Sequence, residues 1–385
     1  MHVLMYTWEF PPRIVGGLAR HVYHLSRALV RNGVDVTIIT LEFPGASWSE
    51  VIDNVNVERV RVEIGHPSFL SWVFLFNHFM EKRFALLKKS VDIIHGHDWL
   101  VSLASISTKH FTNKPLVFTY HSTERGRVGT LSTPDSFTID GLEWWCGYEA
   151  SRIIVTSRSM MSEVIGSFKI PDYKISIIPN GIDLTEFNVQ VDPLDVKRNI
   201  GIGEDKKLVL FVGRITSQKG VTYLIQAVPK VISVHPDARF IIVGDGWELG
   251  TVKNMISTMN LGNYVKTLGF LPDHVVKSLM KAADVMVIPS IYEPFGIVAL
   301  EAMASGVPLV ASDVGGLSEI VEHERTGLKV YPANPDSIAW GINTILSNPK
   351  WAKSMAQNAL NIIREKYNWD AIALKTIEVY KKAMA

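Results

Sequence analysis

Residues 289 to 301 read Pro-Ser-Ile-Tyr-Glu-Pro-Phe-Gly-Ile-Val-Ala-Leu-Glu, and this stretch decides the fold. Ahead of it runs Asp284 to Ile288 (Asp-Val-Met-Val-Ile), short, β-branched and closed by Pro289, the pattern of a buried parallel strand. Behind it, Ile297, Leu300 and Ala304 recur at helical spacing. The order is therefore strand, loop, helix, with Glu293 in a loop that turns at Pro294 and Gly296, and Glu301 on the helix. A helix N-terminus carries unpaired N–H groups and partial positive charge, which suits a phosphate. Glu301 stands about two turns, roughly 12 Å, beyond Glu293 if all the intervening chain is helical. Two carboxylates flanking a phosphate site suit a ligand with hydroxyls at both ends and phosphate between, the form of a sugar nucleotide. The plainer alternative is a loop carboxylate and a solvated helix residue.

Outward from this stretch the second half repeats the pattern. Lys207–Val212, Arg239–Val243, Tyr264–Leu268, Asp284–Ile288 and Val307–Ala311 read as strands, with helical runs such as Val221–Val234 between them. The first half does the same with Met1–Thr7, Val34–Thr40, Val57–Val62, Val91–His95, Pro115–Tyr120, Arg152–Thr156 and Ile175–Ile178. Its opening strand leads through Gly16 and Gly17 into a helix from Leu18 that Gly33 stops, a Rossmann-like start. The dinucleotide fingerprint G-x-G-x-x-G is absent, which counts against a dehydrogenase. Alternating strands and helices predict open, mostly parallel sheets. The turn-rich segment Ile178–Asp183 and the following Asp192-Pro193 place a boundary near residue 185. The expected division is an α/β domain over 1–185, a second over 186–368 and an amphipathic helix over 369–385.

With 385 residues the chain suits two domains, and 47% hydrophobic with 20% charged residues is ordinary globular composition. A net charge of +1 with no basic block gives no sign of a nucleic-acid partner. The single Cys146 excludes an intramolecular disulfide, and Met1 leads straight into a strand, so a cytoplasmic location is expected. The most apolar stretch, Phe69 to Phe76, is far short of the roughly 20 residues of a spanning helix, so no transmembrane segment is expected.

Arg214 and Lys219 follow the strand Lys207–Val212, at the carboxyl end where open sheets bind ligands. A planar guanidinium and a mobile ammonium can together balance a diphosphate. No Asp-x-Asp occurs, so no bridging metal is expected there. His95 and His97 share one strand face, but the sequence shows no well-spaced third ligand, and no metal site is assigned. His121 closes another strand. Ser122 to Ser136, rich in Gly, Ser, Thr and Arg, reads as a mobile loop, and Trp144-Trp145 as a buried helix face, with an apolar face for an acceptor sugar as the alternative.

Glu293-Pro-Phe-Gly-Ile-Val-Ala-Leu-Glu301 resembles the glutamate–seven–glutamate motif of retaining glycosyltransferases of family 4. Gly213-Arg214 with Lys219-Gly220 resembles that family's diphosphate-binding segment, and the resemblance covers nearly the whole chain. Within the family, Trp8-Glu-Phe-Pro-Pro and Arg20-His21-Val22 are similar to the branch that makes α-1,4-glucans. The resemblance implies the GT-B fold, two Rossmann-like domains facing a central cleft, the C-terminal helix crossing back to the first. It also implies roles. Glu301 would bind ribose; Glu293, with Phe295, Gly296 and Ile297, the sugar; Arg214 and Lys219 the diphosphate; and Gly16 and Gly17 would approach the donor phosphate. Asp98, beside Trp99, would touch the transferred sugar or acceptor, and His121 the donor sugar. Where bacterial glycogen synthases carry Lys-Thr before Gly-Gly, this chain has Ile14 and Val15, so their lysine contact is not carried over.

The resemblance thus implies a retaining transferase moving a hexose, glucose first, from a nucleoside diphosphate to a carbohydrate acceptor, without a cofactor. The base, the sugar, the acceptor and the oligomeric state stay open. A sugar-nucleotide epimerase, a phosphorylase of the same fold and a non-catalytic nucleotide- or glycan-binding protein are the alternatives.

Overall fold

A computed structural model describes all of residues 1–385. The chain divides into two compact units, one comprising Met1–Gly181 and Trp369–Ala385, the other Ile182–Asn368.

The first unit is built on eight strands: β1 His2–Tyr6, β2 Asp35–Leu41, β3 Ser49–Ile52, β4 Val55–Val60, β5 Ile93–His97, β6 Leu116–Tyr120, β7 Arg152–Val155 and β8 Ile175–Ile177. Their order is β3-β4-β2-β1-β5-β6-β7-β8, parallel throughout except for the antiparallel edge pair β3 and β4. Tyr6, Ile94 and Phe118 pack on one side of the sheet, while Val3, Met5, Ile93 and Val117 pack on the other. Burial of both faces explains why these strands read as unbroken apolar runs. The helix Trp369–Met384 belongs to this unit. Its Ile372, Val379 and Tyr380 join Val22, Leu25 and Leu29 of the helix Gly17–Arg31 in one apolar cluster, and Arg31 pairs with Asp370 at 2.7 Å.

The units part between Gly181 and Ile182, slightly ahead of residue 185. Asn180 is tied by its side chain to His21, and Gly181 lies so close to the Trp369 ring that a Cβ would meet it at 2.7 Å. The next residue, Ile182, donates its N–H to Tyr367 O at 2.8 Å and so belongs with the second unit.

The second unit carries β9 Lys207–Val212, β10 Ala238–Val243, β11 Val265–Gly269, β12 Val285–Ile288, β13 Leu309–Ser312 and β14 Leu328–Val330, in the order β11-β10-β9-β12-β13-β14. All neighbours are parallel. In β9, Leu208 and Leu210 point into one apolar cluster and Val209 and Phe211 into the other, so one short strand feeds both cores. Each such fully buried side chain is worth about 1.5–3 kcal/mol. Asp284 fastens the entry to β12: its carboxylate accepts the Leu208 N–H at 2.8 Å and pairs with Lys197 at 3.2 Å.

Two sequence readings need correction. Ser122 to Ser136 is not an open loop. Glu124–Val128 is helical, Thr123 and Thr133 cap helices, and Arg127 pairs with both Glu124 and Glu143. The Gly and Ser content masked these capping hydroxyls. Trp144 and Trp145 do not form a buried face; they are 49% and 39% exposed on the helix Pro134–Glu149, whose inner face is Ile139, Leu142 and Cys146.

Candidate active site

Chain order reverses in each sheet at one place, between β9 and β12 in the second unit and between β1 and β5 in the first. Connections that leave in opposite directions there open a crevice at the carboxyl ends of the paired strands, the usual ligand position in open α/β sheets. The residues picked out from sequence lie beside these two points.

In the second unit, the segment after β9 carries Gly213, Arg214 and Lys219, and the segment after β12 carries Glu293 and the helix Ile297–Ser305. The two segments are laced together. Ile291 donates its N–H to Gln218 O at 2.7 Å, and Gly220, at φ +62°, lets the chain pass where a Cβ would run into Pro289 O. This brings Lys219 Nζ within 2.7 Å of Glu293 Oε2, which also accepts the Ser290 hydroxyl at 3.2 Å. Glu293 is buried, and its own carbonyl accepts the Gly316 N–H at 2.9 Å, which ties the loop to the segment after β13. Gly296 caps the helix at φ +106°. No hydrogen bond within the chain uses the N–H groups of Phe295, Gly296 or Ile297. Glu301 sits buried on the helix at 8% exposure, too deep for an ordinary solvated charge. Arg214 is exposed, and its guanidinium has no ion-pair partner.

The second unit thus gathers three kinds of group at its switch point. They are an unpaired guanidinium, a lysine shared with a buried carboxylate, and a helix end with open amides. Together they can hold an anion and distinguish polar groups beside it.

In the first unit, Gly16 caps the helix Gly17–Arg31, as the Gly-Gly turn suggested. Its amide is not open, however. Glu9 Oε2 accepts the N–H of Val15 at 2.6 Å and of Gly16 at 3.1 Å, so a carboxylate of the chain already occupies this helix end. Gly17 is exposed. Asp98 follows β5 with φ +66° and ψ 166°, a region nearly confined to glycine, and such strain costs about 1–3 kcal/mol.

His121 lies just beyond β6 among three further imidazoles. His97 Nδ1 is 3.3 Å from His121 Nε2, and the His21 and His121 ring centroids are 4.6 Å apart. His95 is held from both sides, by Tyr380 Oη and Thr119 Oγ1, each at 2.7 Å. Burial, then the charge that neighbouring rings would carry, holds His97 and His121 well below the usual imidazole range. Burial likewise brings His21 to about 4 and His95 to about 3. All four rings are therefore neutral near pH 7. The partners missing when His95 and His97 were read alone are supplied by His21 and His121, from distant segments. His21 was visible only as part of Arg20-His21-Val22, a signal of kinship rather than of contact.

Two doubly wound parallel sheets, each with its singled-out loops at a switch point, define a GT-B fold. The chain belongs to the glycosyltransferases. Residues 15–186 match the model of Glycosyltransferase Family 4, and residues 194–362 that of Glycosyl transferases group 1. An uncharacterized glycosyltransferase of Methanocaldococcus jannaschii is 45% identical over 100% of this chain and 99% of its own. The glycogen synthase of Mycobacterium tuberculosis is 33% identical over 100% of this chain and 95% of its own, which places this chain in the glycogen synthase-like branch. Sucrose-phosphate synthase of Thermosynechococcus elongatus superposes with a TM-score of 0.85 at 27% identity, covering 99% and 98% of the two chains. No helix is long and apolar enough to cross a membrane.

Proposed function

We propose that the protein transfers a hexose, glucose first among candidates, from a nucleoside diphosphate such as ADP- or UDP-glucose to a carbohydrate acceptor such as an α-1,4-glucan, with retention at the anomeric carbon. The observation that carries this reading is the Lys219–Glu293 pair beside the open amides of Phe295, Gly296 and Ile297. Arg214 and Lys219 are assigned the diphosphate, Glu301 the ribose, and Glu293 with the amides near Phe295, Gly296 and Ile297 the sugar. As the glycosidic bond breaks, the leaving diphosphate gains negative charge, and cations fixed beside it stabilise the transition state more than the ground state. Lys219 would then shift from Glu293 toward phosphate, which leaves the Glu293 carboxylate free to accept sugar hydroxyls. With this charge supplied by the chain, the step takes no metal or other cofactor. The first unit is assigned the acceptor, with Asp98 touching the transferred sugar or the acceptor and His121 the donor sugar. Kinship with a protein named glycogen synthase supports glucose and a glucan over other sugars.

The test is a chromatographic and NMR assay with labelled ADP- and UDP-glucose, with and without a maltooligosaccharide acceptor. Slow donor hydrolysis alone, and an α-linked product with acceptor, are expected. Epimerised donor would point to an isomerase, a β-linked product would overturn retention, and binding without turnover of any donor would leave only a nucleotide-binding role.

A further inference from the structure

We infer that His21, His97 and His121 form a binding site for a transition-metal dication of the zinc class, apart from the phosphate-binding residues of the second unit. The three residues come from different elements: His21 from the helix Gly17–Arg31, His97 from the last position of β5, and His121 from the turn after β6. One ring nitrogen of each lies within 4.8 Å of the other two. The 3.3 Å between His97 Nδ1 and His121 Nε2 equals the separation of two nitrogens on a tetrahedral ion, roughly 3.3 Å for bonds of about 2.0–2.1 Å.

The state of His21 is the independent observation. Its Nδ1 lies 2.6 Å from Asn180 Oδ1, an acceptor, so Nδ1 carries the proton. Nε2 is then a bare lone pair, buried and without a hydrogen-bond partner. Buried polar atoms are rarely left so. A metal-ligating histidine has this arrangement: one nitrogen on the ion, the other ring N–H donated to a carbonyl that fixes tautomer and orientation. His95 is excluded as a ligand because Tyr380 and Thr119 occupy both of its nitrogens.

Three neutral imidazoles with no carboxylate among them select the ion. Zn²⁺, Co²⁺, Ni²⁺ and Cu²⁺ accept such a set, whereas Mg²⁺ and Ca²⁺ require oxygen ligands. His21 and His97 are buried and His121 is only partly so. The composition of the set, not its charge, keeps the site silent toward the hard cations of the cell.

The full chain, stripped with a chelator and desalted, is titrated with Co²⁺ while the visible d–d absorption of a four-coordinate ion is recorded. Zn²⁺ then competes the signal away. One saturable equivalent per chain is expected. His21→Gln and His121→Ala should each weaken Co²⁺ binding at least about 100-fold, and Asn180→Ala about 10- to 100-fold through loss of the carbonyl behind His21. The half-buried His235→Ala, in the second unit, keeps wild-type affinity. Thermal unfolding of each metal-free variant verifies that it folds, and the partly exposed His121 keeps the test alive should His21→Gln not fold. Absence of a one-equivalent Co²⁺ or Zn²⁺ complex in the wild-type chain overturns the site. So does wild-type affinity in His121→Ala or Asn180→Ala.

Discussion

Breaking the Lys219–Glu293 pair tests whether the charges of the second unit are set in place before any ligand arrives. Nζ and Oε2 are 2.7 Å apart, with the lysine side chain 19% and the glutamate side chain 9% exposed. Exposed pairs contribute about 0.2–1 kcal/mol, while removing one partner of a buried pair costs about 3–5 kcal/mol, and this pair lies between the limits. Lys219→Met keeps the stem but leaves a buried carboxylate with only the Ser290 hydroxyl as a side-chain donor, and should destabilise the chain by about 2–3 kcal/mol. Glu293→Gln is milder, about 1 kcal/mol, because the ammonium it strands still reaches water. The double variant should fall well short of additivity, with a coupling of about 2 kcal/mol. Urea unfolding of the four proteins gives the cycle. Repeating it with saturating ADP should shrink the coupling as the ammonium turns to phosphate. A coupling below about 0.5 kcal/mol without ligand would mean a solvated pair and no pre-set charge. A coupling unchanged by ADP would refute the proposed transfer of Lys219 from carboxylate to phosphate.

Four shorter tests follow from the same geometry. Glu301→Gln should weaken intact donor and free nucleoside diphosphate alike, while Glu293→Gln cuts turnover and spares nucleoside diphosphate affinity; calorimetry showing equal losses in both would reverse the assigned ends. Asp98→Gly should raise stability by roughly 1 kcal/mol through relief of the φ +66° backbone yet lower activity, and loss of stability would show that the side chain compensates the strain. Because His21 and His95 are depressed to about 4 and about 3 in the folded chain, their contribution is complete above the unfolded value near 6.5 and is lost as pH falls below it. Metal-free protein should therefore lose up to about 1.4 kcal/mol per pH unit for each such histidine between pH 6 and about 4.5, and a flat urea midpoint there would contradict burial as neutral rings. Turnover should survive EDTA, since the charge on the leaving group is met by Arg214, Lys219 and amides; loss restored by magnesium would overturn that assignment.

Sheets buried on both faces were legible because every residue of such a strand must be apolar. β9 and β12 read clearly for this reason, the former feeding two cores at once. β3 and β14 escaped notice. Ser49–Ile52 is an exposed antiparallel edge of mixed polarity, and Leu328–Val330 has only three residues. The Glu293 loop was legible as strand, turn and helix, but its pairing with Lys219 was not, since 74 residues separate the partners and only the sheet order brings them together. The histidine cluster illustrates the same limit. His95 and His97 are neighbours by strand periodicity, whereas His21 and His121 meet them only through parallel pairing of β1, β5 and β6.

The two glycine turns looked alike in sequence, each a glycine opening a helix after a strand, and structure separates them by what occupies the helix end. At Gly16 the amides of Val15 and Gly16, just ahead of the first helical residue, are already answered by Glu9, a charge fixed six and seven residues before the amides it binds. At Gly296 the corresponding amides are open, and the nearby Glu293 is held by Lys219 instead. An anion arriving at the Val15 and Gly16 amides must displace a carboxylate of the chain, whereas at Phe295, Gly296 and Ile297 it meets unfilled donors. The second therefore offers an anion donors that no hydrogen bond of the chain occupies, and this asymmetry, rather than the glycines themselves, supports the proposal that the nucleotide binds there.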